Sequence, residues 1–221
     1  MGEDPKPRSG VPERRGADDK LEHDVRAACA RGAFDEAASI VVRRMGGELL
    51  RFLVHAHRDE DKAADVFSLL AEDIWRGLPG FRWDCSFRTW AYCLARRASS
   101  RHRRRNAGEE RHVVVPLAEL GSLSEIVLEV RTRTLSAIRT ERRTALEQLR
   151  DELDVEERML LSLRIDRELS WPEVASILAE GEGQPDATDI ARLRKRFQLL
   201  KDRLKKRGRE LGLVPAGRSP S

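Results

Sequence analysis

The chain has 221 residues, of which 36% are charged and 5% are aromatic, and its formal net charge is +4. So few aromatic residues exclude one large aromatic-rich core and favour small helical modules. No apolar run approaches the roughly 20 residues of a membrane span, no secretory signal pattern is present, and the three cysteines are irregularly spaced. We therefore expect a cytoplasmic protein without membrane insertion or a disulfide framework.

The first half of the chain is predicted to be helical after a disordered arm. Residues 1–19 combine proline, glycine and charge with almost nothing to bury. Beyond them, apolar residues recur at helical spacing. This spacing predicts helices over residues 21–44, with a break near Gly32, and over residues 47–57, 62–78 and 86–105.

Composition also sets the predicted domain boundaries. A first helical domain covers residues 20–105. A linker covers 106–123, in which the β-branched run 112–117 suits an extended connector because a proline interrupts it. A second helical domain covers residues 124–212, and a disordered tail covers 213–221. The expected fold class is all-α, with two small helical domains joined by a flexible linker.

The second domain carries marked helix starts. Helical periodicity runs over residues 124–153. Asp186 or Thr188 then opens a last helix that is expected to run to about residue 211. In a capping box, two side chains three residues apart satisfy free backbone N–H groups of the first helical turn. Two such boxes are formed by Asp154 with Glu157 and by Ser170 with Glu173.

The last predicted helix is apolar on one side and cationic on the other. Leu193, Phe197, Leu200 and Leu204 fall on one stripe, which should pack against the helix after Ser170. The remaining faces offer groups that bond bases or phosphates when the second helix of a helix-turn-helix enters the major groove. The candidates for duplex DNA are Thr188, Arg192, Arg194, Lys195, Arg196 and Gln198. A solvated surface is the alternative interpretation of such a face.

Two stretches of the second domain resemble region four of bacterial RNA polymerase sigma factors. "LDVEERMLLSLRIDRELSWPEVASIL" (153–178) is similar to the first part of that region, and "LRKRFQLLKDRL" (193–204) is similar to its recognition helix. Between them, "AEGEGQPDATDIAR" (179–192) is longer than the tight glycine-containing turn of the family. The resemblance implies that the six candidates above bind the minus-thirty-five promoter element.

A longer stretch of the first domain resembles region two of the extracytoplasmic-function group of sigma factors. This stretch is "DVFSLLAEDIWRGLPGFRWDCSFRTWAYCLARRASSRHRRR" (65–105). The resemblance implies contact with core RNA polymerase, including the β′ clamp helices and the β flap. By the same resemblance, the polymerase-binding candidates are Asp65, Ser68, Leu69, Glu72, Asp73 and Arg76, where Ser68 and Leu69 replace a usual polar Gln-Glu step.

The helix predicted over 86–105 has the residue types that promoter opening requires. Unstacked bases are stabilised by aromatic side chains, and the exposed strand by cations. Phe87, Trp90, Ala91 and Leu94 form its inner stripe, so core packing is the alternative for the aromatic residues. The candidates for the minus-ten element are Arg88, Trp90, Tyr92, Arg96, Arg97, Arg101, Arg103 and Arg104.

Motifs for catalysis are missing from the sequence. No phosphate-binding loop, nucleophile elbow or zinc-protease helix occurs, so we expect no enzyme, no cofactor and no metal. The favoured hypothesis is a sigma factor that binds core polymerase and promoter DNA, and an anti-sigma partner stays open. Two alternatives remain: a helix-turn-helix regulator independent of polymerase, and a helical polymerase-binding decoy or scaffold.

Overall fold

The structure is a computed structural model that describes residues 11–107, 121–140, 152–179 and 185–211. Within these ranges the chain forms helices and connecting turns and no β-strand, which confirms the predicted all-α fold class. The connector run 112–117 and the tail 213–221 lie outside the described residues.

Residues 11–107, the first half of the fold, contain four helices and one short turn. A glycine with φ of +71°, Gly32, separates the first two helices, as predicted. The second helix passes through Gly46 and Gly47 without interruption, so the separate helix start predicted at residue 47 is wrong. The elements are α1 (Val11–Ala30), α2 (Phe34–His57), α3 (Glu60–Gly77), a 3-10 turn (Leu78–Gly80) and α4 (Phe87–Asn106).

The arm expected over residues 1–19 differs from the structure in its second part. Residues 11–19 belong to α1, and residues 1–10 lie outside the described ranges. Leu21 and Val25 of the same helix are buried, which anchors it to the rest of the fold. Nearer the start of α1, the Asp18 carboxylate accepts a 2.8 Å hydrogen bond from Arg88 of α4.

The described residues of the second half form a long helix, three shorter elements and a final long helix. Both predicted capping boxes are confirmed, at Asp154 and at Ser170. Of the two predicted starts for the last helix, Asp186 is the N-cap and forms a third capping box. The elements are α5 (Ser122–Thr140), α6 (Val155–Leu161), a π-helical turn (Ser162–Asp166), α7 (Trp171–Leu178) and α8 (Ala187–Glu210).

Helix α5 packs on the first half of the fold, although the sequence pattern assigned residues 124–140 to the second domain. Val127 and Val130 are buried against α2 and α3. Close approach is possible because α2 has glycines at the contact: a Cβ added to Gly46 would lie 3.0 Å from Val130 Cγ1. Arg131 also reaches α3, where its Nη1 donates a 3.2 Å hydrogen bond to Ser68 Oγ.

The C-terminal helices also pack on the first half. Helix α6 lies against α2, and α7 lies against α4. Buried apolar residues of both halves, among them Phe52 and Leu160, belong to one continuous hydrophobic cluster. The Arg158 guanidinium spans the junction and donates a 2.6 Å hydrogen bond to the carbonyl of Ala56. The predicted two sets of helices therefore contact each other directly.

Candidate nucleic-acid and polymerase interfaces

The start of α4 is fixed by a cap and by an aromatic cluster. Ser86 is the N-cap, and its Oγ accepts a 3.1 Å hydrogen bond from the Thr89 backbone N–H. The Phe81 and Trp90 rings are stacked at 4.6 Å and 27°. A Cβ added to Gly77 would lie 2.8 Å from Trp90 Cζ2, so the indole is seated directly on the end of α3. Trp90 is half-buried, and its ring packs between the end of α3 and the Phe81 ring.

Two of the minus-ten candidates do not lie on the surface of the protein. Tyr92 is 0% exposed and Arg88 is 8% exposed, so both side chains belong to the core of the protein. The Tyr92 hydroxyl donates a 2.6 Å hydrogen bond to Glu48, and burial raises its pKa above the ordinary range. Arg88 pairs with Glu48 and with Asp18. The physical reason for this burial is a carboxylate on α2 that satisfies both polar groups inside the core.

Two further arginines of α4 are bound by the C-terminal half. Arg96 donates to the Ala179 carbonyl at 3.0 Å and pairs with Glu156 at 3.4 Å. Arg103, two helical turns further on, pairs with the other oxygen of Glu156 at 3.0 Å. Cys93 lies at the same junction, with Sγ 3.6 Å from the Ser176 carbonyl, and burial raises its pKa to about 11. One carboxylate of α6 therefore links two predicted DNA-binding arginines.

The remaining α4 candidates differ in their accessibility. Arg97, Arg103 and Arg104 are exposed. Arg101 is half-buried and pairs with Asp73 of α3. This ion pair therefore connects a minus-ten candidate with a polymerase-binding candidate. The last turns of α4 therefore keep a cationic surface.

The predicted polymerase-binding residues all lie on α3, whose start is capped by Asp59 through a 3.0 Å hydrogen bond from the Lys62 N–H. Asp65 and Arg76 are exposed, whereas Glu72 is 9% exposed and pairs with Arg76 at 2.9 Å. Three of the candidates are half-buried. Ser68 accepts a hydrogen bond from Arg131 of α5, and Leu69 packs against the core. Asp73 forms an ion pair with Arg101 of α4.

The predicted minus-thirty-five candidates form one exposed surface on α8. The opposite stripe is buried as predicted, with Phe197 and Leu200 in the core and Leu193 and Leu204 packed against it. Trp171 of α7 meets the Phe197 ring edge to face at 5.3 Å. All six candidates face solvent: Thr188, Arg192, Arg194, Lys195, Arg196 and Gln198.

Contacts at the base of α8 hold its cationic face in place. Arg203 pairs with Glu157 at 2.5 Å, and Arg207 pairs with Glu152 at 2.8 Å. The exposed surface also includes Leu199, whose side chain is 62% exposed between the cations. The arrangement presents, on one helix, cations that can bind phosphates and polar groups that can bind base edges.

Sequence reasoning missed Glu48 and Glu156, two of the acidic partners of the α4 arginines. Glu48 is an isolated acid in a largely apolar helix, and Glu156 is one of the acids that commonly occupy the first turn of a helix. Neither could be distinguished from an ordinary surface acid by its sequence position. No local pattern marks them, because their partners are 40 or more positions away in the chain.

Metal-binding clusters and membrane-spanning helices are absent from the described residues. Over the described ranges, no group of three or more His, Cys, Asp or Glu side chains is placed to hold a metal ion. None of the described helices is long and apolar enough to cross a bilayer.

Residues 41–109 match the family model described as Sigma-70 region 2. This match supports a sigma-70 family factor. The sigma-70 region 2 match includes most of α2 and all of α3 and α4, and it covers less than half of the chain. It supports a sigma factor role in binding RNA polymerase and melting promoter DNA. Searches among curated proteins and among solved structures give no significant match.

Proposed function

We propose that the protein is a sigma factor of the extracytoplasmic-function group, which binds core RNA polymerase in the cytoplasm and directs promoter-specific transcription initiation. The observation that carries the proposal is that the sigma-70 region 2 match falls on α3 and α4. These two helices carry the acidic and the arginine-rich surfaces that the function requires. Catalysis belongs to the polymerase, and this chain supplies the choice of promoter.

Helix α3 is the proposed docking element for the β′ clamp helices. Its exposed edge combines Asp65 and Arg76 with the half-buried Ser68 and Leu69. Complementary charges at such an edge steer association and fix the register of the partner. The ion pair between Asp73 and Arg101 links this helix to α4. A change in α3 on polymerase binding would therefore also affect the position of an arginine on the DNA-binding helix.

Helix α4 is the proposed site for the opened minus-ten strand. Arginines along one helix neutralise successive phosphates of a single strand. Trp90 belongs to an aromatic cluster beside them. We retain as proposed contacts Trp90, Arg96, Arg97, Arg101, Arg103 and Arg104, and we assign Arg88 and Tyr92 to the core.

Helix α8 is the proposed reader of the minus-thirty-five duplex and belongs to a region four domain. The support is the brace of buried α7 residues, Val174 and Ile177, under a helix whose six candidate residues are all exposed. Arg and Lys bond guanine, and Gln bonds adenine with two hydrogen bonds. Thr188 and Arg192 lie nearest the helix start, where a recognition helix meets base edges.

Binding to core RNA polymerase tests the proposal and separates it from the two alternatives. The full chain should co-elute with core polymerase, and Asp65→Lys should weaken this binding about tenfold because it reverses a charge on the docking edge. Glu125→Lys, an equal charge reversal at an exposed position of α5, should leave it unchanged. A helix-turn-helix regulator would bind duplex DNA but not polymerase, and a decoy would bind polymerase without producing transcripts.

A further inference from the structure

We propose that the C-terminal half competes with DNA for the arginine face of α4, with the Glu156 carboxylate in the place of a phosphate. This inference rests on the proposed role of α4 in binding the minus-ten strand and adds a means of regulating that site. With α6 and α7 closed on α4, the protein without polymerase is expected to bind single-stranded DNA weakly.

The Glu156 carboxylate reproduces the chemistry of a bridging phosphate. Its two oxygens are shared between Arg96 at 3.4 Å and Arg103 at 3.0 Å. Both arginines are candidates for the minus-ten element, and guanidinium groups recognise carboxylate and phosphate in the same manner. A guanidinium engaged by Glu156 cannot offer the same N–H groups to a nucleotide.

A second negative ligand occupies the inner arginine. Arg96 donates a 3.0 Å hydrogen bond to the carbonyl of Ala179, the C-cap residue of α7. Carbonyl groups at a helix C-terminus have no intrahelical partner and carry partial negative charge. The Arg96 side chain is only 12% exposed as a result. Its donors are therefore occupied by the Glu156 carboxylate of α6 and by a backbone carbonyl at the end of α7.

Packing also closes this face of α4 sterically. Helix α7 lies directly on α4, and Cys93 Sγ is 3.6 Å from the Ser176 carbonyl. A DNA strand cannot reach Arg96 while α7 remains in this position. Binding of DNA to this face thus requires α6 and α7 to move, and the apparent affinity falls with the fraction of molecules that are open.

The neighbouring carboxylate has a different partner and provides a matched control. Glu157 pairs with Arg203 of α8, so its ion pair lies within the C-terminal half, whereas that of Glu156 joins the two halves. Both acids lie in the first turn of α6. Glu156→Gln and Glu157→Gln therefore remove the same charge from the same end of the same helix. The first breaks the ion pairs with Arg96 and Arg103, and the second breaks the ion pair with Arg203.

The test measures binding of a short, fluorescently labelled single strand of mixed sequence to the full chain without polymerase at low salt. Glu156→Gln should bind about fivefold more tightly than the wild type, the effect of losing charged hydrogen bonds worth ~1 kcal/mol. Glu157→Gln should stay within about twofold of the wild type. Adding Arg103→Ala to Glu156→Gln should reverse the gain.

Alkylation of Cys93 reports the opening without DNA. Mass spectrometry of the peptide that contains Cys93 distinguishes it from the exposed Cys85. Glu156→Gln should raise the alkylation rate of Cys93 about fivefold, in proportion to the open fraction, while Cys85 reacts at an unchanged rate.

Two results of the DNA-binding assay would overturn the inference, and a transcription assay then decides whether the proposed function also fails. Equal DNA binding by Glu156→Gln and the wild type, with Arg103→Ala still impairing transcription by the polymerase complex, would refute the competition but leave the proposed function intact. If Arg103→Ala and Arg96→Ala also leave transcription unchanged, the DNA-binding role of α4 is itself wrong. Equal gains in Glu156→Gln and Glu157→Gln would reduce the effect to net charge and also refute the competition.

Discussion

The Tyr92 hydroxyl donates a 2.6 Å hydrogen bond to the Glu48 carboxylate and so joins α4 to α2 inside the core. The same carboxylate pairs with Arg88 and lies 3.8 Å from Arg167 Nε of the C-terminal half. One acidic residue thus serves three elements of the fold. Helix α4 is held in a fixed rotation about its axis, which determines which of its arginines face solvent.

Removal of this carboxylate should destabilise the protein. Glu48→Ala removes one of the two described carboxylates that pair with the buried Arg88, so the free energy of unfolding should fall by about 2 kcal/mol. Tyr92→Phe loses a single hydrogen bond and should cost about 1 kcal/mol. Urea denaturation followed by circular dichroism measures both changes. Glu36→Ala is the control, since its pair with Arg31 is exposed on both sides and should contribute less than about 0.5 kcal/mol.

His57 should make the protein less stable in mild acid. Burial lowers its pKa from 6.5 to about 4, with further lowering by His102 and nearby cations. Because the folded state binds the proton more weakly than the unfolded state, stability is complete above pH 6.5 and falls as the pH drops toward 4. The loss can reach about 3 kcal/mol.

Unfolding measured from pH 7 to pH 5 tests this prediction before most carboxylates titrate. His57→Gln should flatten the dependence in that window, because glutamine does not ionise. His23→Gln is a suitable comparison, since it removes a histidine of α1. An unchanged slope in His57→Gln would contradict the assignment.

The glycine at the contact of α2 with α5 should be required for packing. In an exposed helix interior, Gly→Ala stabilises by about 1 kcal/mol. At Gly46, a Cβ would meet Val130 at 3.0 Å and Phe67 at 3.1 Å, so Gly46→Ala should instead destabilise by about 1 kcal/mol or more. Gly16→Ala in α1, with nothing within 4 Å of the added Cβ, should stabilise. Thermal unfolding of the two variants should shift in opposite directions.

The exposed face of α8 should account for affinity for the minus-thirty-five duplex. Lys195→Ala removes a cation in the middle of the proposed reading face. Affinity for promoter duplex should fall, and the salt dependence of binding should decrease by about one phosphate contact. Lys205→Ala removes an equal exposed charge nearly three turns farther along the helix and should have a smaller effect. Equal losses in both variants would indicate a non-specific cationic surface.

Features encoded by residues three or four apart were predictable from the sequence. The capping boxes at Asp154 and Ser170, and the buried stripe through Phe197 and Leu200, depend on local spacing and were confirmed. The break at Gly32 is equally local, because that residue takes a positive φ.

Features that depend on distant partners were not predictable. Tyr92 and Arg88 have the helical positions of surface residues, and only the acid 44 positions before Tyr92 explains their burial. The packing of α5 on α2 likewise depends on glycines of α2 that read as a helix break in isolation. The same limit applies to Glu156, whose two arginine partners belong to the other half of the fold.

Run-off transcription tests the central claim most directly. Core bacterial RNA polymerase is assayed with and without the protein on a library of promoters from the genome that encodes it. We predict discrete transcripts that require the protein and that decrease with Lys195→Ala and with Arg103→Ala. Absence of protein-dependent transcripts, together with failure to bind core polymerase, would contradict the assignment as a sigma factor.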